Sequence, residues 1–197
     1  MPQLPGGDDL DATETSLVAR AQAGDMYAFE QLASAHADRL FAVLLRLLGD
    51  RAEAEDVAQE VLLRAWRAIS RFHGRSLFFT WLYRIAVNEA NRSLVKNTRR
   101  PMTVPLDEGV LGVPAPVGEP SRRVEQLELR EALDKALREL PSTDRTAIVL
   151  RDIEGLSTRD AAEITGVGEA AFKSRLHRAR LKVRAALGDD ALIKAGG

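Results

Sequence analysis

Residues 155–187 read GLSTRDAAEITGVGEAAFKSRLHRARLKVRAAL, and this stretch decides the fold of the C-terminal part of the chain. Ser157 lies three residues before Asp160, a capping-box spacing that starts a helix because the two residues satisfy free backbone N–H groups. Gly166 and Gly168 then interrupt the helix, since glycine tolerates the backbone of a tight turn, and Val167 between them can fill the angle between two helices. The pattern predicts a helix-turn-helix.

The second helix of this motif has one apolar and one basic face. Apolar residues spaced four, three and four predict the buried face: Phe172, Leu176, Ala179 and Val183. The opposite side carries Ala170, Ser174, His177 and Arg178, with Lys173 on its flank. A helix-turn-helix places such a helix in the major groove of DNA, where basic side chains reach phosphates and base edges. The alternative is a solvated charged helix in a bundle, but the turn, the cap and the charge together favour DNA binding.

Composition indicates a globular, soluble protein whose charge is unevenly distributed. The chain has 197 residues, of which 45% are hydrophobic and 29% charged, so it can bury a core. The net charge is only −1, yet the first thirty residues are acidic and residues 84–100 are basic. This asymmetry suits a protein that contacts DNA at one surface and a protein partner at another.

Several classes of protein are disfavoured by what the sequence lacks. It has no cysteine, and therefore no disulfide framework, thiolate nucleophile or cysteine-ligated zinc. The N-terminal residues MPQLPGGDDLDATE do not resemble a signal peptide. No apolar run approaches the roughly 20 residues of a membrane span. We expect a cytoplasmic protein without membrane insertion.

Helical periodicity dominates the chain and predicts an all-α fold of two small helical domains joined by an extended linker. Residues 101–120 hold five of the eight prolines and indicate that linker. The predicted division is a disordered tail at 1–12, a domain at 13–100, a linker at 101–121, a helix-turn-helix domain at 122–187 and a tail at 188–197. Predicted helices cover about 13–23, 25–48, 50–72, 78–98, 122–139, 142–153, 157–165 and 168–187.

Residues 50–72 form one of two unusual segments in the N-terminal half. Their spacing predicts an amphipathic helix that buries Val57, Val61, Ala65 and Ile69. The other face carries Asp56, Glu60, Leu63 and Arg67. A leucine among exposed charges suits a protein-docking surface with an apolar centre, although an ordinary solvated face fits the pattern equally well.

The second segment is rich in aromatic and basic residues. Six of the ten aromatic residues fall between Trp66 and Tyr83, interleaved with basic side chains that include Arg71, His73, Arg75 and Arg84. Such a mixture suits unpaired nucleic acid, because rings stack on bases and cations hold phosphates. We expect Trp66, Trp81 and Leu82 to belong to the core, and the aromatics of the loop at 72–79 to be exposed. Spacings of four and three place Arg84, Asn88 and Asn91 on one helix face.

Three stretches in this order carry a resemblance to a known family: AEDVAQEVLLRAW (54–66), FHGRSLFFTWLYRIAVN (72–88) and LPSTDRTAIVLRDIEGLSTRDAAEITGVGEAAFKSRLHRAR (140–180). Together they resemble the extracytoplasmic-function (ECF) sigma factors, the promoter-specificity subunits of bacterial RNA polymerase. The resemblance covers about residues 14–187. The second stretch is most similar to the heat- and envelope-stress branch.

The resemblance implies three sets of site residues. A core-polymerase-binding face comprises Asp56, Gln59, Glu60 and Leu63. A surface that opens the −10 DNA and captures a flipped base comprises Phe72, His73, Arg75, Phe78, Phe79, Arg84, Asn88 and Arg92. The helix that reads the −35 element offers Lys173, Ser174, Arg175, His177 and Arg178. The linker corresponds to one threaded through the RNA exit channel. This chain has Ala170 and Ala171 where many relatives carry hydroxyl side chains, which leaves its −35 sequence open.

The implied function is that of an alternative sigma factor in transcription initiation, active in a stress response. It would bind core RNA polymerase, duplex −35 DNA and melted −10 DNA, with an anti-sigma factor as a further partner, and would catalyse no reaction and need no cofactor or metal. A stand-alone helix-turn-helix transcriptional regulator would explain residues 140–187 but not the aromatic and basic run at 72–100. An enzyme is disfavoured because the sequence has no phosphate-binding loop, no dinucleotide glycine pattern and no HExxH motif, and its three histidines are scattered.

Overall fold

The computed structural model describes residues 7–74, 76–97 and 131–187, and every regular element within them is helical. The N-terminal domain contains α1 (Gly7–Gln22), α2 (Met26–Leu48), α3 (Arg51–Ala68), a 3₁₀ turn (Ile69–Arg71) and α4 (Phe78–Asn97). The C-terminal domain contains α5 (131–139), α6 (Ser142–Ile148), a π-helical turn (Val149–Ile153), α7 (Thr158–Thr165) and α8 (Glu169–Leu187).

Local signals in the sequence set the helix boundaries of the N-terminal domain. The Asp25 carboxylate accepts a hydrogen bond from the Ala28 N–H at 3.1 Å, and the Asp50 carboxylate accepts one from the Glu53 N–H at 2.7 Å. Each carboxylate satisfies an N–H group that the first helical turn leaves free. Gly49 ends α2 in the left-handed conformation, with φ of +78°, which favours glycine.

The N-terminal core forms where α2 packs against α1, α3 and α4. Its fully buried side chains include Leu32, Leu40, Leu44, Val61 and Leu82. Burying a leucine or valine side chain of this kind contributes about 1.5–3 kcal/mol. The predicted inner face of α3 is confirmed, because Val57, Val61, Ala65 and Ile69 are all buried.

The C-terminal domain packs α8 against α6 and α7. Phe172, Leu176 and Ala179 of α8 are buried, and Val183 is partly buried against the same core. Ala161, Ala162 and Ile164 of α7 complete the packing of the helix-turn-helix. The predicted all-α class is therefore confirmed, as is the helix-turn-helix.

The two domains lie against each other. Helix α4 contacts α7, α2 contacts α6, and the buried residues of the two domains belong to one continuous cluster. The Arg145 guanidinium crosses the boundary and donates to the Leu47 carbonyl at 2.6 Å, at the C-terminal end of α2. It also donates to the carbonyls of Arg138 and Leu140 within its own domain, and burial lowers the pKa of this guanidinium.

The structure corrects one boundary and leaves others outside its range. Helix α1 begins at Gly7, so the disordered tail predicted for residues 1–12 is wrong for 7–12. The predicted linker at 101–121, the start of the helix predicted at 122–139 and the tail at 188–197 lie outside the described residues. Among the residues that are described, no helix is long and apolar enough to cross a membrane.

Candidate nucleic-acid and protein interfaces

The outer face of α8 is presented by the turn that precedes it. Ser157 begins α7 as predicted, since its hydroxyl accepts from the Asp160 N–H at 3.0 Å and donates to the Asp160 carboxylate at 2.6 Å. Gly166 then ends α7 in the left-handed conformation, with φ of +69°. Val167 is half-buried and packs against the core, as expected for the residue that fills the turn.

The buried face of α8 fixes which of its residues face solvent. Four of the five predicted −35 residues are exposed, namely Lys173, Ser174, His177 and Arg178, while Arg175 is half-buried. The Ser174 hydroxyl also donates to the Ala170 carbonyl of its own helix at 3.1 Å. The face thus offers cationic donors and an imidazole side by side, which can contact phosphates and base edges in a major groove.

Two further basic residues of α8 are paired with acids within the protein. The Arg180 guanidinium donates to the Asp152 carboxylate at 2.9 Å, and this hydrogen bond raises the pKa of Arg180. The Lys182 ammonium donates to the Asp144 carboxylate at 2.7 Å. Their positive charges are partly offset by neighbouring acids, so α8 divides into a free basic face and a paired basic end. This division depends on contacts with Asp144 and Asp152, which are far away in the sequence.

The outer face of α3 is a second candidate interface. Asp56 and Gln59 are exposed, and Leu63 keeps 51% of its surface accessible. Glu60 is half-buried and accepts a hydrogen bond from Arg64 at 2.6 Å, one turn along the helix. The face therefore has an apolar centre within a charged rim, which is the usual composition of a protein-docking patch.

An open groove between α3 and α4 adjoins this face. Arg67 and Arg71 line it from the α3 side, and Asn88 and Arg92 line it from α4. The buried Glu89 carboxylate holds two guanidinium groups in place. It accepts a hydrogen bond from Arg92 at 2.7 Å and lies 3.3 Å from Arg64. Guanidinium groups around an amide can hold the backbone of a nucleic acid and contact a base edge. Arg67 and Arg71 are not among the −10 residues expected from the sequence, although their spacing of four residues places them on one face.

The aromatic side chains at 72–79 are core residues in this structure. Phe72 and Phe79 are each 9% exposed and Phe78 only 1%, so the prediction of exposed loop aromatics is wrong for all three. Phe78 packs with Trp81 at a ring-centroid distance of 5.7 Å, and Phe79 meets the edge of Tyr83 at 4.4 Å. Among the described residues of this loop, the exposed large apolar side chain is Leu77 instead. Trp66, Trp81 and Leu82 pack into the core as predicted.

The other predicted −10 residues are dispersed. His73 is exposed in the loop, and Arg75 lies outside the described residues. The Arg84 guanidinium does not line the groove with Asn88 and Arg92. It donates to the carboxylate and the backbone carbonyl of Glu163 in α7, at 2.9 and 3.0 Å. The structure therefore brings Asn88 and Arg92 together and separates Arg84 from them.

Both domains match known protein families. Residues 32–100 match the family model for sigma-70 region 2, and residues 130–183 match that for sigma-70 region 4. The chain is 37% identical to RNA polymerase sigma-H factor of Pseudomonas aeruginosa, over 88% of this chain and 93% of that protein. It is 34% identical to the ECF RNA polymerase sigma-E factor of Escherichia coli K12, over 85% of this chain and 91% of that protein.

Several solved structures share the fold, and two of them are sigma factors or relatives bound to partner proteins. One is the sigma factor RpoE in complex with the anti-sigma factor NepR from Bartonella quintana, with a TM-score of 0.64 and 30% identity over 82% of this chain and 98% of that one. The other is CnrH in complex with the cytosolic domain of CnrY, with a TM-score of 0.62 and 28% identity over 94% of this chain and 99% of that one.

Proposed function

Because the chain belongs to the ECF family of RNA polymerase sigma factors, which are transcription-initiation factors, we propose a role for each of its three surfaces. The α8 face reads the −35 element as duplex DNA. The α3–α4 groove contacts the melted −10 element. The α3 face docks onto core polymerase.

The arrangement of α8 is the observation that carries this proposal. Phe172, Leu176 and Ala179 anchor the helix, and this leaves Lys173, His177 and Arg178 exposed along its opposite side. An arginine or lysine on such a helix can pair with guanine through two hydrogen bonds, each good pair being worth about 1–3 kcal/mol of discrimination. We assign base reading to Lys173 or Arg178, and phosphate contacts to their neighbours Ser174, Arg175 and His177.

The groove supports the second role. Opening a duplex costs stacking energy, and contacts to the separated strand must offset this cost. Asn88 offers an amide that can hydrogen-bond a base edge, and Arg67, Arg71 and Arg92 offer cations for the adjacent phosphates. Phe72, Phe78 and Phe79 support this surface from the core, so contact between one of these rings and a flipped base requires the loop at 72–79 to rearrange.

The α3 face supports the third role, because it combines Asp56, Gln59 and Glu60 with the exposed Leu63. It borders the groove directly, since Glu60 lines both. A polymerase helix docked on this face would lie beside the opened strand. A stand-alone regulator has no use for such a pairing of surfaces, and the match of residues 32–100 to sigma-70 region 2 disfavours that alternative.

Further properties follow from the same proposal. The protein acts in the cytoplasm, where its template is, and contributes specificity without catalysing a reaction. The resemblance to sigma-E factors supports a role in a stress response, and the anti-sigma complexes of its structural relatives support an anti-sigma partner. The family matches at 32–100 and 130–183 support the domain division proposed from the sequence.

Run-off transcription with purified core polymerase on a library of randomised promoters tests the proposed function. We expect the protein to make transcription depend on two short sequence blocks, one near −35 and one near −10. Core polymerase without the protein is the control and should show no such dependence. If the protein selects no promoter in the presence of core polymerase, the proposal fails.

A further inference from the structure

The contact between the two domains is polar and specific. The Glu154 side chain, which follows the π-helical turn of the C-terminal domain, is only 6% exposed. Its carboxylate accepts a hydrogen bond from Arg39 of α2 at 2.7 Å and one from the Tyr83 hydroxyl of α4 at 2.8 Å. Arg46 of α2 lies 3.9 Å from the same carboxylate. All of these partners belong to the other domain.

A second acid makes an equivalent contact one helix further along. Glu163 of α7 receives the Arg84 guanidinium of α4 through its carboxylate and its backbone carbonyl. The C-terminal domain thus contributes two carboxylates to the boundary. The N-terminal domain contributes the three arginines and the tyrosine hydroxyl that contact them. Such complementarity fixes how two surfaces meet.

The same contact occupies part of the surface assigned to the −10 element. Arg84 is among the predicted −10 residues, and in this arrangement its donors are directed to Glu163. Arg39 also covers Phe79, with its guanidinium carbon 4.4 Å from the ring centroid, while Glu154 holds that guanidinium in place. The buried Tyr83 also contacts the Phe79 ring, in a T-shaped arrangement with centroids 4.4 Å apart. Release of Glu154 would free Arg39, and release of Glu163 would free Arg84.

Distance gives a second reason why this closed arrangement cannot engage a promoter. Elements at −35 and −10 are separated by about 25 base pairs, or about 85 Å at roughly 3.4 Å per base pair. A domain of 100 residues has a radius of gyration of only about 13 Å, so two domains in direct contact fall well short of that span. The domains must separate before α8 and the α3–α4 groove can reach their elements together.

We propose that the face bearing Glu154 and Glu163 is an intramolecular docking surface for Arg39, Tyr83 and Arg84, and that this interdomain latch competes with promoter DNA for the N-terminal domain. The inference rests on the proposed function, since it concerns the same −10 surface. The exposed pair of Arg84 and Glu163 weakens as salt rises, whereas the buried Glu154 carboxylate is screened less. A partner that binds either side can release the latch.

The test compares two double variants of the full chain. Glu154→Gln with Glu163→Gln removes both latch charges but keeps the side-chain shapes. Glu131→Gln with Glu139→Gln changes the net charge equally at two exposed positions of the same domain, and it is the matched control. Small-angle scattering measures the radius of gyration of each free protein. Binding to a forked −10 oligonucleotide without core polymerase is then measured at one salt concentration.

We expect the latch variant to be more expanded than the wild type and the control, and to bind the −10 oligonucleotide more tightly by roughly 5–150-fold, the usual range for coupling between sites. Equal radii for all three proteins would overturn the latch while leaving the proposed function intact. An expanded latch variant that binds the oligonucleotide no better than the control would overturn the competition with DNA. Loss of promoter selection by the wild type with core polymerase would instead count against the proposed function, and scattering would still decide whether the latch exists.

Discussion

The α8 face and the segment at 72–92 are both candidate DNA surfaces, but they differ in how they relate to the core. In α8 a single apolar stripe is buried, and four of the five predicted DNA-contacting residues are exposed on the opposite side. In the segment at 72–92 the predicted set divides. Its aromatics enter the core, Arg84 binds the other domain, and Asn88 and Arg92 remain on a groove. The α8 face is accessible to duplex DNA in this conformation. The segment at 72–92 is only partly accessible, because some of its residues are buried or bound to the other domain.

This difference suits the two forms of DNA involved. Duplex DNA presents a groove of fixed width that a preformed helix can enter without rearrangement. A melted strand must be opened and held, so a surface that becomes fully available only after a conformational change limits unproductive contacts. The latch at Glu154 and Glu163 would control that availability.

The largest effect is expected on stability, in the core beneath the segment at 72–92. Replacing Phe78 with Ala should lower the free energy of unfolding by about 3–5 kcal/mol, because the ring is 1% exposed and its loss leaves a cavity. Replacing its neighbour Leu77, which is 61% exposed, should change stability by less than about 0.5 kcal/mol. Urea denaturation followed by circular dichroism measures both. Equal stabilities would mean that Phe78 is not a core residue, and that the original prediction of an exposed stacking ring holds.

The groove should matter for opening rather than for folding. Replacing Asn88 with Ala should remove hydrogen bonds to a captured base worth about 1–3 kcal/mol and suppress open-complex formation, while leaving binding to core polymerase unchanged. Permanganate reactivity of the −10 strand measures opening. Asn91 is a matched control, since it is half-buried one turn along and does not line the groove. Unchanged permanganate reactivity in the Asn88 variant would remove this residue from the −10 site.

Arg178 and Arg180 lie two residues apart in α8. Replacing each one distinguishes a residue that reads a base from one that pairs with an acid of the protein itself. Arg178→Ala should lose roughly 1–3 kcal/mol against the cognate −35 sequence and tolerate substitutions at one base pair. Arg180→Ala should affect DNA binding much less, because this side chain pairs with Asp152. Footprinting over a salt series distinguishes base reading from phosphate contact, which would instead reduce the salt slope by about one. If the alanine variants of Lys173 and Arg178 both lose DNA affinity equally on all sequences, base reading must be assigned to Ser174, His177 or the backbone.

The docking face should give the smallest effect per charge, since its acids are largely exposed. Reversing Asp56 and Glu60 together should weaken binding to core polymerase, most clearly at low salt, because exposed charges are screened beyond about 8 Å at physiological ionic strength. Reversing the exposed Glu55, which pairs with Arg51 on the same helix, is the control. Binding can be measured by competition for core polymerase. Wild-type affinity in the double variant would mean that the face is only solvated.

The sequence predicted those features that depend on short-range pattern. The caps at Ser157, the buried residues of α3 and α8 and most helix boundaries were all predictable, because helical periodicity and capping are local. The burial of Phe72, Phe78 and Phe79 was not predictable, since it depends on how the loop packs against α1 and α2. The Gln22 side chain of α1, for example, donates to the Phe72 carbonyl and fixes that loop from a distance of fifty residues in the chain.

Ion pairs between residues that are far apart in the sequence could not be predicted either. Arg84 and Glu163 lie 79 residues apart, and Arg39 and Glu154 lie 115 apart, so no local spacing relates them. The same holds for Arg180 and Asp152, whose pairing changes which basic residues of α8 remain available. The helix at 7–12 was missed because its acidic and glycine-containing sequence favours disorder by composition.

The central claim is that α8 and the α3–α4 groove read two separate promoter elements. It is tested most directly by selecting active promoters from one randomised library with core polymerase and three proteins: the wild type, Arg178→Ala and Asn88→Ala. We predict that the wild type selects two sequence blocks, that Arg178→Ala loses selection only within the −35 block, and that Asn88→Ala loses selection only within the −10 block. Selection of a single block by the wild type, or the same pattern from both variants, would contradict the account.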